Sequence, residues 1–181
     1  MKRIVIVGNA GAGKSTLALK INSITSIPVY HIDKILWKKD WERTPEDEFK
    51  IKHNEIIQQD EWILDGVGYE STMEERFSAA NMIIFLDVPI ETCKKQALNR
   101  MKEDNIRPNP YVTEGCRYPI ELQDIQMDLI EKIDKEFKPI LVNKINKFKN
   151  KRKIVHLTDE HTIKKFLQEI KNEYNQLIHK K

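Results

Sequence analysis

Two periods run through the apolar positions of this chain. Ile4-Val5-Ile6-Val7, Trp62-Ile63-Leu64 and Met82-Ile83-Ile84-Phe85-Leu86 are unbroken apolar runs, the pattern of strands covered on both faces of a parallel sheet. Residues 28–32 and 153–157 predict two further, shorter strands. Between the runs the spacing becomes helical. Leu17, Ala18, Ile21 and Ile24 form one stripe, Phe49, His53, Ile56 and Ile57 a second, and Ile163, Phe166, Leu167 and Ile170 a third. Thr44 is placed to cap the second of these helices, with Pro45 in its first turn. Another helix is expected from about Ile90, followed by a loop through Pro108 and Pro110. A long helical stretch then carries Leu122, Ile125, Leu129, Ile130, Ile133, Phe137 and Leu141 on one face, where Pro139 predicts a break or kink. Strands alternating with helices predict an α/β fold, a parallel sheet wound on both faces.

Composition narrows this picture. A chain of 181 residues, 40% hydrophobic and 33% charged, fits one domain with a real core. No apolar run approaches the 18 or so residues needed to cross a bilayer, and Ile4 to Val7 is too short for a signal-peptide core, so a cytoplasmic protein is expected. Cys93 and Cys116 have neither metal-site spacing nor disulfide density and are read as reduced. The net charge of +3, from 31 basic and 28 acidic residues, describes an interspersed surface. A local basic run, Lys144, Lys147, Lys149, Lys151, Arg152 and Lys153, is read as a solvated helix end and loop, with nucleic-acid contact as the alternative.

The chemistry starts behind the first strand. Gly8, Asn9, Ala10, Gly11, Ala12, Gly13, Lys14 and Ser15 spell a complete G-x-x-x-x-G-K-[ST] loop leading through Thr16 into a helix. Its glycines let successive N–H groups converge on phosphate oxygens, Lys14 adds a positive charge, and the Ser15 hydroxyl can ligate Mg²⁺. The loop is therefore expected to bind a nucleoside triphosphate, ATP or GTP, together with Mg²⁺. Asp65 and Asp87 each end a central strand and compete for the metal-side carboxylate, Asp65 being favoured because Gly66 lets the chain turn close to the loop. Asp33, expected at the end of the second strand, is the candidate for binding or deprotonating an acceptor hydroxyl. His31 is read as structural. Trp37 and Trp41 read equally well as acceptor-stacking rings or as core aromatics under a long loop. Arg100 and Arg107 lie in a segment, residues 100–118, whose two prolines and few apolar residues suit a mobile lid that closes guanidinium groups onto phosphate.

These residues resemble those of the adenylate-kinase-like branch of the P-loop kinases, which includes shikimate and gluconate kinases. Leu86-Asp87-Val88-Pro89 with Arg100 downstream is similar to the fourth strand and lid arginine of adenylate kinase. Pro28-Val29-Tyr30-His31-Ile32-Asp33, Trp37, Trp41, Trp62-Ile63-Leu64-Asp65-Gly66 and Gly115-Cys116 resemble the FlaR-like, or topology-modulation, proteins. The resemblance implies a three-layer P-loop NTPase fold with a five-stranded sheet of order 2-3-1-4-5. It further implies one domain over residues 1–181, with an acceptor-side helical segment near 34–60 and a lid near 100–118. The implied activity is Mg²⁺-dependent phosphoryl transfer from ATP to a small hydroxylated or nucleotide acceptor. The alternatives are a nucleotide-binding regulator of DNA topology and an NTPase switch without acceptor. Two departures matter. Adenylate kinase follows its Asp-Gly with Phe-Pro-Arg, whereas Val67-Gly68-Tyr69-Glu70 stands here, leaving Arg76 as the substitute for gripping an acceptor phosphate. Gln96 stands where adenylate kinase has an arginine that packs on the adenine ring.

Overall fold

The computed structural model describes residues 2–104 and 106–178. Its centre is β1 (Arg3–Gly8), paired in parallel with β3 (Trp62–Asp65) on one side and β4 (Met82–Leu86) on the other. The short strands β2 (Val29–His31) and β5 (Lys153–Leu157) form the edges, giving the order β2-β3-β1-β4-β5. The apolar pattern explains this placement. Ile4 to Val7 and Trp62 to Leu64 are fully buried and can only be central, whereas Lys153 and His156 expose β5 and Val29 to His31 are half-buried.

Side chains alternate across the sheet, so β1 feeds two cores. Ile4 and Ile6 join Ile63 and Ile84 beneath α1 (Lys14–Thr25) and α8 (Glu160–Ile178), whose Ile21 and Ile170 pack there. Val5 and Val7 join Leu64 and Ile83 on the other face, covered by α3 (Glu46–Ile57), α4 (Met73–Ala79) and α7 (Lys138–Asn146) through Phe49, Phe77 and Leu141. Helices therefore lie on both faces of one five-stranded parallel sheet. No described helix is long and apolar enough to cross a membrane.

Four local expectations change. The second strand stops at His31, and Ile32–Leu36 form the short helix α2, which puts Asp33 in a helical first turn. Helix α3 is capped by Pro45, one residue later than expected, because Thr44 is used in tertiary bonds. The Thr44 amide donates to the Leu36 carbonyl at 2.9 Å, and its own carbonyl accepts the Tyr69 hydroxyl at 2.6 Å. Helix α5 (Ile90–Asp104) runs past Arg100 into the segment expected to be lid. Finally, α6 (Gln123–Lys132) passes into α7 through a π turn over Ile133–Phe137. A proline has no N–H and its ring clashes with the carbonyl four residues back, so the wider turn lets the helix continue through Pro139 without a break. The inward face of this stretch is narrower than its apolar pattern: Ile130 and Leu141 are buried, whereas Leu122, Ile125 and Leu129 are exposed.

Candidate active site

The phosphate loop lies where β1 ends and α1 begins. Gly11 has φ +75, and a Cβ there would stand 2.2 Å from the Cys93 carbonyl oxygen, so only glycine lets the loop press this closely onto α5. Gly13, left-handed at φ 93, is the N-cap of α1 and offers no side chain to its first N–H groups. Those donors face the loop, where an anion would meet them and the helix dipole together. Asn9 braces the loop: its side-chain oxygen accepts the Ala10 amide at 2.7 Å and its Nδ2 donates to the Ile130 carbonyl at 3.0 Å. Lys14 folds back onto the Asn9 carbonyl at 2.8 Å. Burial lowers its pKa, opposed chiefly by the Asp33 and Asp65 carboxylates. Thr16 is exposed.

Asp65 closes the other side. Nearly buried, it accepts the Ser15 hydroxyl on Oδ2 at 2.6 Å, and its Oδ1 lies 2.6 Å from Nδ1 of His31. His31, read from the sequence as structural, is thus in contact with the carboxylate that also accepts Ser15. In the parallel register His31 pairs with Asp65, and paired residues present their side chains on the same side of the sheet. The chain turns from β2 into α2 directly after His31, and Asp33, in the first turn of that helix, stands within reach of the charges of His31 and Asp65. Asp87 is engaged elsewhere, bonded to Lys138 Nζ at 2.6 Å and His156 Nε2 at 3.0 Å. Burial raises the Asp33 carboxyl, with Lys14 the largest opposing charge and Asp65, Arg100 and His31 also acting on it.

Arg100 reaches this group from α5, its field felt by Lys14, Asp33 and the Tyr118 hydroxyl. Its guanidinium carbon lies 4.6 Å over the Tyr118 ring. Arg107 is exposed beyond the end of α5, whereas Arg100 is among the charges acting on Lys14 and Asp33.

The segment after α5 is a docked strap. The Thr113 hydroxyl donates to the Trp37 carbonyl, the Cys116 thiol to the Lys38 carbonyl at 3.1 Å, and Trp41 Nε1 to the Arg117 carbonyl at 2.7 Å. Buried Asp104 accepts the Asn109 and Tyr118 amides at 2.8 and 2.6 Å and pairs with Arg117. Trp41 stands between Trp37 and Tyr118, ring centroids 5.5 and 4.5 Å away. The two tryptophans thus join α2 to the strap. Arg76 is fully buried and gives its guanidinium to the Gly66 and Val67 carbonyls, which makes it a strut for the turn after β3 and takes it out of reach of an acceptor phosphate. In the basic run, Lys144 and Lys147 pair with Glu74 and Lys153 with Glu173, while Lys149 and Lys151 are exposed.

No protein-family model matches the sequence, and no curated protein matches it. Among solved structures, the chain is similar to a shikimate kinase from Acinetobacter baumannii in complex with shikimate, at 20% identity over 99% of this chain and 94% of that one, TM-score 0.55. It is also similar to a gluconokinase from Sinorhizobium meliloti 1021, at 13% identity over 97% and 93%, TM-score 0.51. These likenesses establish the class of fold: a P-loop NTPase fold of the shikimate- and adenylate-kinase type. They extend over essentially the whole chain.

Proposed function

We propose that this protein is a Mg²⁺-dependent phosphotransferase that moves the γ-phosphoryl group of ATP to a small hydroxylated acceptor. The observation that carries the reading is the convergence of Lys14, the Ser15–Asp65 pair and Asp33 beside the phosphate loop. Phosphoryl transfer asks a protein for charge stabilisation and alignment more than for covalent chemistry. The loop amides and Lys14 would hold the β and γ phosphates, and Arg100 would meet charge developing on the transferred group. Asp33 would take the proton of the acceptor hydroxyl as its oxygen bonds to the γ-phosphorus and the bond to the β-bridging oxygen breaks, releasing ADP. The strap, closed over α2, would keep water from competing as acceptor.

The donor set fits Mg²⁺. Ser15 and Asp65 offer hard oxygen ligands or anchors for metal-bound water, and the ion commonly takes one or two protein oxygens with the rest from phosphates and water. When bound, it would neutralise charge on the β and γ phosphates. The likeness to a shikimate kinase and a gluconokinase supports a small-molecule acceptor.

Isothermal titration with ATP, followed by transfer assays over nucleosides, nucleoside monophosphates, sugars and shikimate-like acids, tests the reading. Lys14→Ala should weaken ATP binding and remove about 3 kcal/mol or more of transition-state stabilisation. A parent protein that binds no ATP overturns the proposal. ATP consumption unaffected by every acceptor points instead to an NTPase switch.

A further inference from the structure

Asp65 meets the phosphate loop with both carboxylate oxygens engaged. Ser15 Oγ donates to Oδ2 and His31 Nδ1 lies 2.6 Å from Oδ1. An ionised carboxylate only accepts, so Nδ1 carries the proton and donates, a charge-assisted bond of short length. The imidazole is held from another direction by Tyr111 of the strap, ring centroids 5.1 Å apart and planes 48° from parallel. The register fixes the imidazole's root, since His31 and Asp65 are paired residues on adjacent strands. This restraint has a specific effect on Asp65. The terminal torsion of an aspartate is broad and roughly two-fold, so a carboxylate held only through Ser15 could swing. A second bond at Oδ1 fixes the plane in which Oδ2 addresses Ser15.

We propose that His31 is a positioning residue for the metal side of the site: by holding Oδ1 of Asp65 it fixes the carboxylate that orients Ser15 and the water shell of the ion. The inference rests on the metal-side role given to Asp65 above. Hydrogen-bond partners behind a metal-side ligand typically control metal affinity by 10–100-fold. The ligand whose affinity His31 should govern is therefore the divalent cation, with the nucleotide itself held by the loop amides and Lys14.

The test uses Mn²⁺ as the spectroscopic cation and the β,γ-methylene analogue of ATP, which cannot transfer its phosphoryl group. Affinity for the analogue without metal is measured by calorimetry, and affinity of the resulting complex for Mn²⁺ by electron paramagnetic resonance. His31→Phe keeps a ring against Tyr111 and loses the N–H; His31→Asn keeps an N–H near the position of Nδ1. His31→Phe should weaken Mn²⁺ binding at least tenfold while metal-free analogue affinity moves less than threefold, and His31→Asn should restore Mn²⁺ affinity to within fivefold of the parent. Mn²⁺ binding to His31→Phe less than tenfold weaker than the parent's overturns the proposal, as does an equal loss of metal-free analogue binding or a failure of His31→Asn to restore. Should His31→Phe not fold, the His31→Asn comparison decides alone by the same fivefold limit. A parent that binds no analogue overturns the phosphotransferase reading itself, an outcome distinct from a parent that binds both ligands and is indifferent to His31.

Discussion

Burial raises the Asp33 carboxyl above its ordinary value near 3.8, against the pull of Lys14, and in the role proposed for it this would bring a proton acceptor closer to neutral pH. A base works only when ionised, so activity should fall as pH drops through this raised pKa, and the acid limb of kcat/KM should lie above the ordinary carboxylate range. Asp33→Asn cannot take the proton. It should lower kcat by about 10²–10⁴-fold while ATP affinity changes little, because general-base assistance acts in the transition state. Steady-state kinetics across pH 4.5–8 check this, and an Asn variant within tenfold of the parent would sink the role. The placement of Asp33 beside Lys14 was legible in the sequence, because a residue just beyond a short strand lies at the sheet edge. Its neighbour His31 was not. Its contact with Asp65 comes from the parallel register of β2 on β3, two segments more than thirty positions apart, which no local pattern records.

The strap depends on Asp104. This carboxylate is almost fully buried at the end of α5 and receives two strap amides and Arg117. Asp104→Ala leaves those amides without their acceptor, a cost of about 1–3 kcal/mol that falls on the strap and not on the sheet. Hydrogen exchange at Asn109 and Tyr118 should quicken about tenfold or more, with protection in β1 and β4 unchanged; uniform loss of protection would mean that Asp104 supports the whole fold instead. At this scale the sequence was most readable where burial is two-sided. The runs Ile4–Val7, Trp62–Leu64 and Met82–Leu86 leave no other place than the centre of a sheet, and the central strands stand within a residue or so of their expected limits. Prediction failed where tertiary hydrogen bonds outweigh local propensity. Residues 106–118 have the prolines and polar character of a mobile loop, yet carbonyls of Trp37 and Lys38, some 76–78 positions earlier, hold them down. Nothing in the local sequence records those partners. The exposed Leu122, Ile125 and Leu129 mislead in the opposite way, since helical spacing says that a face exists but not that anything covers it.

Across the whole molecule, one imidazole in the core should make a distinct contribution to the acid response. His53 is fully buried on α3, stacked on Phe49 with centroids 5.9 Å apart, and its Nδ1 lies 3.2 Å from Asn54 Oδ1. Burial, reinforced by the Arg76 cation, pushes its pKa down to about 4. Arg76, itself pushed down to about 9 by burial, already places one cation in this core, and a protonated His53 would add a second beside it. The unfolded chain protonates His53 near pH 6.5, so between that value and about 4 it binds the proton that the folded chain refuses. Stability from this group is therefore complete above pH 6.5 and drains away as pH falls toward and below 4, on the order of 3 kcal/mol in total. Asp33 works in the opposite sense. Its raised folded pKa penalises the folded state at higher pH and relieves it on acidification, so the parent's slope alone is a mixture. The difference between the parent and His53→Leu isolates the imidazole. Urea unfolding at pH 7.5 and pH 4.7 should show the parent losing more stability than His53→Leu on acidification, even if the variant starts lower from its altered packing. The paired carboxylates Glu46, Glu48, Glu74 and Glu131, whose pKa values are lowered, also lose stability on acidification as the unfolded chain takes up their protons, but they do so in parent and variant alike and cancel in the difference. Equal losses in both proteins would place the acid sensitivity elsewhere. A greater loss in the parent would mean that acid attacks the core around α3 and the Arg76 strut, and through its bonds to Gly66 and Val67 the turn that presents Asp65.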